Sequence, residues 1–257
     1  MRFPGLVVLC WAVLALPQWA RAASESDTAC GAPEEFITTD VPLAQFAAAI
    51  GANGPVDILA VGSATTVGSV TTAGKQSASQ GGAFPWQMLH ALQVTLPAVQ
   101  FRLTVRGGRG MTAEDMLPLI DAALKQRRYP LVLWQTSTVE AVRGLQPDGM
   151  LDILHTGAEH VRDAGGDVVL IDSQFSRFLR ANTDLDPYEN VMQQVATMPG
   201  VALFHRFDLM KSWADDGRID LEHTPKADRD TALDELNRCL GAALARFVLS
   251  GADAAKK

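Results

Sequence analysis

Five short apolar runs, at 56–61, 100–105, 131–134, 167–171 and 201–204, recur along the chain with helical periodicity between them. Runs of this length and β-branched content read as strands, and because most show no polar alternation they must be covered on both faces. Helices between successive strands provide that cover when the strands run parallel. The pattern therefore predicts an α/β fold, a three-layer sandwich around a mostly parallel five-stranded sheet. Helices are expected at 42–50, 85–96, 112–126, 148–164, 188–197 and 228–249. The last is amphipathic through Leu233, Leu236, Leu240, Leu244 and Phe247, a stripe that should pack on the sheet. Thr112 stands where an N-cap belongs, with Glu114 and Asp115 in the turn after it.

The chain opens on Met-Arg-Phe-Pro, continues with apolar residues from Leu6 to Leu16 and reaches Ala20-Arg21-Ala22. A positive start, an apolar centre and an A-x-A site predict a signal peptide at 1–22 and export to the periplasm or the extracellular space. No later stretch approaches the roughly 20 apolar residues of a membrane span. Residues 23–250 then read as one domain, with 251–257 a flexible tail and 23–28 frayed; a hydrophobic content of 47% suits a single core. Loss of residues 1–22 removes two arginines and no acids, so the formal charge moves from -7 to -9. An acidic chain without a basic stripe excludes nucleic acid as a partner and has no electrostatic reason to sit on anionic lipid. A monomer is expected.

Cys10 falls within the signal, leaving Cys30 and Cys239. In an oxidising compartment they suggest one disulfide, worth roughly 2–4 kcal/mol; two free buried thiols are the alternative. A metal site is not expected, because no His or Cys neighbours this pair, and His155 and His160 are too isolated to hold one.

In such a fold ligands collect at the carboxyl ends of the strands. The residues there are, in order, Gly62-Ser63-Ala64-Thr65-Thr66, Arg106 to Thr112, Gln135-Thr136-Ser137-Thr138 and Asp172-Ser173-Gln174, with Asp220-Leu221-Glu222-His223 ahead of the last helix. Ser63 has two readings, a turn with a helix cap or a nucleophile. The second needs a base, which His223 can supply with Asp220 to orient it, and N–H donors for the oxyanion, which Ser63 itself and a glycine after the second strand can supply. Gln174 is a substrate contact or a turn hydrogen bond, and Arg106 and Arg109 are solvated or bind an anion. His205 reads as a packed or surface histidine. Gly107-Gly108-Arg109-Gly110 lacks the Lys-Ser/Thr ending of a P-loop, which argues against nucleotide.

Taken together, Gly62-Ser63, Gly110-Met111-Thr112 and Asp220-Leu221-Glu222-His223 resemble the nucleophile, glycine and D-x-x-H blocks of the SGNH (GDSL-type) hydrolase superfamily, over residues 55–245. The resemblance implies a flavodoxin-like sandwich, Ser63 as nucleophile, His223 as general base, Asp220 as its orienting carboxylate, Gly110 as an oxyanion donor, and no metal or organic cofactor. It also implies an exported serine esterase acting on a short acyl ester, such as an O-acetyl group of a glycan or a small molecule. A binding module that keeps the fold without activity and an O-acyltransferase using the same Ser63 are the alternatives.

The third block departs from the pattern. The family's Gly-x-Asn-Asp places an Asn side chain in the oxyanion hole, and no Asn lies between Trp134 and Gly144. Alignment on Trp134-Gln135 puts Val139-Glu140 at Asn-Asp, whereas alignment on distance from the strand puts Ser137 there; the first is preferred. Loss of one oxyanion donor costs about a hundred- to a thousand-fold in rate unless another donor substitutes. Gln135, Ser137 and Thr138 are the candidates.

Overall fold

Described by the computed structural model are residues 30–68 and 82–256, so the expected signal peptide and the frayed 23–28 stretch lie outside the described residues. All five expected strands form: β1 (Val56–Gly62), β2 (Phe101–Gly107), β3 (Leu131–Gln135), β4 (Asp167–Ile171) and β5 (Val201–Phe204). They make one sheet in the order β2-β1-β3-β4-β5, with every pair parallel. Every residue of β1, β3 and β4 is buried, as strands covered on both faces require, while β2 at the edge is largely part-exposed. The compact unit carrying the sheet begins at Ala32.

Among the described residues the helices are α1 (Glu34–Ile37), α2 (Ala44–Gly51), α3 (Ala64–Val67), α4 (Phe84–Thr95), α5 (Ala113–Leu124), α6 (Thr138–Arg143), α7 (Pro147–Asp163), α8 (Arg177–Asn182), α9 (Asp186–Val195), α10 (Arg206–Asp215) and α11 (Arg229–Ala254). Period two along the strands divides the side chains between two cores. Leu59, Val61, Val132, Trp134, Val168 and Leu170 join Met116 and Ile120 of α5, Leu154 and Val161 of α7 and Val191 and Met192 of α9. On the other face Phe204 meets Phe247 of α11 edge to face, with ring centroids 5.3 Å apart. The backbones of α11 and α4 approach closely at Gly241, where a Cβ would stand 2.6 Å from the Met88 nitrogen.

Two expectations change. The chain does not fray at 251, because α11 runs to Ala254 and buries Gly251 and Ala252. Gly251 O accepts from Leu43 N at 3.0 Å, and a Cβ on that glycine would lie 2.7 Å from Leu43 Cγ. The Arg206–Asp215 stretch, for which no helix is expected, is α10, which buries Phe207, Leu209, Met210 and Trp213. Thr112 does cap α5: its Oγ1 accepts from Asp115 N while Asp115 accepts from Thr112 N. Cys30 and Cys239 are both disulfide-bonded. Among the described residues no helix is long and apolar enough to cross a membrane.

The strand order places the site. β2 pairs on one side of β1 and β3 on the other, so connections diverge at the carboxyl ends of β1 and β3 and leave a crevice there. Ser63 follows the last residue of β1, and Gln135 is the last residue of β3.

Candidate active site

Ser63 stands at the N-cap position of α3 in extended backbone, yet its side chain makes no capping hydrogen bond. Its Oγ instead donates to Gln135 Oε1 at 2.9 Å, and its N–H donates to the same oxygen at 3.1 Å. The hydroxyls of Thr66, at 3.1 Å, and Thr65, at 3.4 Å, converge there too. A backbone N–H can only donate, so the amide oxygen of Gln135 must be the atom that faces Ser63. Close packing enforces the arrangement: a Cβ on Gly62 would fall 2.2 Å from Thr66 Oγ1 and 3.0 Å from Gln135 Cβ. Thr65 Oγ1 also accepts from Arg206 Nη1 at 3.2 Å. Arg206 is 2% exposed, and burial lowers its guanidinium to about 10 against the opposing charge of Asp172. The turn-and-cap reading of Ser63 therefore fails at the side chain. The hydroxyl is held by an amide, which orients a proton without being able to remove it.

On the β2 side, Gly62 is in register with Gly107. Gly107 has φ 122, and a Cβ there would lie 1.9 Å from Gly62 O, so only glycine lets the strand ends approach this closely. Gly108 N then donates to Gly62 O at 3.2 Å, which keeps the glycine loop beside Ser63. The N–H of Gly110 makes no hydrogen bond among the described residues.

On the β3 side, Ser137 has φ 78, the one positive φ of a non-glycine among the described residues. With Val139-Glu140 at Asn-Asp, Ser137 occupies the glycine position of the third block, and its left-handed backbone supports that alignment. Its Oγ pairs with Ser173 Oγ at 2.7 Å, and both residues are fully buried, so this hydroxyl is engaged below the surface. Thr138 Oγ1 is buried without a partner. Glu140, where the family has Asp, accepts from Thr136 Oγ1 at 2.7 Å and from Ala113 N, which ties α6 to the start of α5. Gln174 is half-buried after β4.

Asp220 and His223 lie in the loop after α10. His223 Nδ1 is 2.7 Å from Asp220 Oδ2; Asp220 Oδ1 accepts from Glu222 N at 3.1 Å and His223 N at 3.2 Å. A carboxylate facing Nδ1 makes it the donor and leaves Nε2 as the acceptor, the tautomer a general base needs. Arg177 Nη1 reaches both Asp220 oxygens, at 3.0 and 2.9 Å. Glu222 accepts from Ser176 Oγ at 2.7 Å, Arg177 N at 3.0 Å and Phe178 N at 3.3 Å, which docks the loop on the N-terminus of α8. Burial alone would raise the Asp220 carboxyl, but hydrogen bonds from His223 and the charge of Arg177 outweigh it and hold the group below its ordinary value. The His223 side chain is 74% exposed. No hydrogen bond joins it to Ser63 among the described residues; the structure brings Asp220 to His223 and Ser63 to Gln135, in two separate groups.

Sequence comparison matches residues 29–254 to the Non-GDSL lipase-like family. The chain belongs to that family. Comparison with curated protein sequences gives no match. Among solved structures, an α/β hydrolase enzyme from the metagenome of Lake Arreo, Spain, aligns at a TM-score of 0.57 with 14% identity, over 74% of this chain and 96% of that one. A catalytic mutant of an acetylxylan esterase from Geobacillus stearothermophilus aligns at 0.55 with 14% identity, over 70% and 91%. A lipase/acylhydrolase from Enterococcus faecalis aligns at 0.52 with 15% identity, over 74% and 94%. At such identities these likenesses establish the fold, which agrees with the SGNH-type architecture expected from the sequence.

Within this member of the Non-GDSL lipase-like family, several site neighbours carry little signal in the sequence. Gln135 is expected there only as an oxyanion donor, although the three hydroxyl residues Ser63, Thr65 and Thr66 share its amide oxygen as their common acceptor. Arg177 has no motif around it and is found only through Asp220. His205, read as a packed or surface residue, has Nδ1 3.7 Å from Asp172 Oδ2. The neighbouring carboxylate raises the imidazole despite burial, while burial raises Asp172 despite His205 and the N–H of Phe207. Nearby Glu189 is pushed up to about 7 by burial, then by the charge of Asp172.

Proposed function

We propose that this lipase-like protein is an exported serine esterase that hydrolyses short acyl esters through Ser63, His223 and Asp220. The observation that carries the reading is the pairing of Asp220 Oδ2 with His223 Nδ1 at 2.7 Å. It leaves Nε2 as a proton acceptor for a nucleophile whose own network orients its hydroxyl without deprotonating it. The loop bearing His223 closes by the movement of an exposed side chain, and Ser63 Oγ exchanges Gln135 for Nε2 as its acceptor.

The chemistry then balances as acyl transfer. Ser63 Oγ bonds to the ester carbonyl carbon, its proton passes to His223 Nε2, and the carbonyl electron pair becomes an oxyanion facing the N–H of Gly110. Collapse breaks the ester C–O bond, and the imidazolium returns its proton to the departing alcohol. Water, deprotonated by His223, releases the acid and restores Ser63. An O-acetyl ester of a glycan or secreted molecule is the proposed substrate class, a reading supported by the acetylxylan esterase of like fold and the expected signal peptide. The disulfide-bonded cysteines agree with export.

Incubating the purified mature chain with a serine-directed fluorophosphonate and an aryl acetate, beside Ser63→Ala and His223→Ala, tests the reading. Labelling and turnover in wild type, both lost in Ser63→Ala, are expected. A wild type that neither labels nor turns over above the variants gives the site to a binding module instead. Acyl transfer to an added sugar in preference to water makes it an O-acyltransferase.

A further inference from the structure

The third block lacks its asparagine; Gln135 turns the oxygen end of its amide to Ser63, Ser137 Oγ is taken up by Ser173, and Thr138 Oγ1 is buried away from the surface. Val139, at the asparagine position, has no donor. Arg143 lies four residues further along α6, and side chains four apart share one face of a helix. Its reach carries it to the glycine block: Nη2 stands 3.3 Å from where a Cβ on Gly110 would be, on the residue whose N–H makes no hydrogen bond among the described residues. Arg143 is exposed, and among the described residues it has no hydrogen-bond or ion-pair partner, although its charge acts on Asp115 through space. The helix beneath it is fixed, because Glu140 joins Thr136 to the first residue of α5. The glycine loop is fixed too, because Gly108 N holds Gly62 O at 3.2 Å, one residue before Ser63.

We infer that Arg143 supplies the oxyanion donor that asparagine supplies in the resembled family, acting with Gly110 N–H across from Ser63. This rests on the serine-esterase reading of the same site. A guanidinium suits this role, because it presents several N–H donors in a fixed fork and stays charged at every working pH. It also makes charge-assisted hydrogen bonds to an oxyanion that it does not make as strongly to a neutral carbonyl. Its contact therefore strengthens as the Ser63 adduct forms, the condition for acting on kcat. Replacement of Asn by Val at 139 and an unpaired Arg one turn later are then two parts of one exchange.

The test measures kcat and KM for an aryl acetate in wild type, Arg143→Ala, Arg143→Lys, and Arg143→Ala combined with Val139→Asn. Loss of one oxyanion donor predicts a fall of about 10²- to 10³-fold in kcat for Arg143→Ala with KM little changed, a partial loss for Arg143→Lys, and at least a tenfold recovery when Val139→Asn restores the amide. Fluorophosphonate labelling should slow in parallel. The thermal midpoint should hold, because an exposed side chain without partners contributes little to stability. A kcat for Arg143→Ala within about threefold of wild type, a loss confined to KM, or no recovery in the double variant overturns the inference. A wild type without Ser63-dependent turnover fails earlier and removes the esterase reading along with it; an active wild type indifferent to Arg143→Ala removes only the inference.

Discussion

Ser63 and His223, the proposed nucleophile and base, sit on two regions built in opposite ways. Ser63 is 9% exposed, directly after a strand buried along its whole length, and is locked by neutral hydrogen bonds that converge on a residue 1% exposed. His223 rides on a loop whose contacts are ionic and open to water, with its own side chain 74% exposed. Buried neutral bonds are indifferent to salt and costly to leave unmade, whereas exposed ion pairs are worth little and are screened. Ser63 is thus fixed by the core, while the His223 side chain is free to move.

The most severe way to break this division is to remove the base. His223→Ala should lower kcat about 10⁴-fold or more, and Asp220→Asn by about 10⁴-fold, because the tautomer is lost along with the charge. His223→Ala should leave stability nearly unchanged, since that side chain is exposed. Unfolding in urea beside steady-state rates checks this, and a large stability loss on His223→Ala would erase the contrast.

Gln135→Leu should do the reverse. It strips the common acceptor from Ser63, Thr65 and Thr66, leaving buried donors unpaired at about 1–3 kcal/mol each. A destabilisation of about 3 kcal/mol is expected by urea unfolding, with Gln135→Glu, which keeps an acceptor, closer to wild type. If Gln135→Leu unfolds at the wild-type midpoint, the buried network is not what holds Ser63.

Acidity separates Asp167 from Asp220 by sign. Burial raises Asp167 to about 6, against the hydrogen bonds it accepts from the N–H groups of Phe46 and Gln45. The native state therefore keeps this proton to a higher pH than the unfolded chain, so stability falls as pH rises from about 4 to 6. Asp167→Asn should remove that slope and gain about 1–2 kcal/mol at pH 7 while gaining nothing near pH 4. Asp220 behaves oppositely: held below its ordinary value, its contribution is present above that value and fades as pH falls through the lowered one. Thermal melts across pH on both carboxylate-to-amide variants check the two signs.

The smallest effect belongs to Arg177. Arg177→Ala, or about 1 M NaCl on wild type, should change kcat only a few-fold by loosening Asp220 and Glu222. Hydrogen exchange should quicken at 220–224 while β1 stays protected. Equal exchange in both would unite the two regions.

Much of this architecture is legible in the chain. The five apolar runs give the parallel sheet, Thr112 and Asp115 give the α5 cap, and the spacing of glycine, serine, aspartate and histidine at strand ends gives the edge where chemistry gathers. Helices too short to show periodicity, α6 and α8 above all, carry no signal of their own; α10 does, through Phe207, Met210 and Trp213 at helical spacing. The tail at 251 departs from expectation because exposure of a small-residue segment is not a local property: whether Gly251 frays depends on Leu43, which lies at the other end of the chain.

Local order and spacing depend only on neighbours along the chain, so the sequence by itself determined the fold class, the position of Ser63 at a strand end and the Asp220–His223 pair. Tertiary structure alone decided that Ser63 turns to Gln135 instead of capping α3, that Ser137 takes a glycine's backbone, that Arg177 grips Asp220 and that Arg143 reaches Gly110. Each depends on strands and helices meeting across the sheet, where distance in space no longer follows distance in sequence.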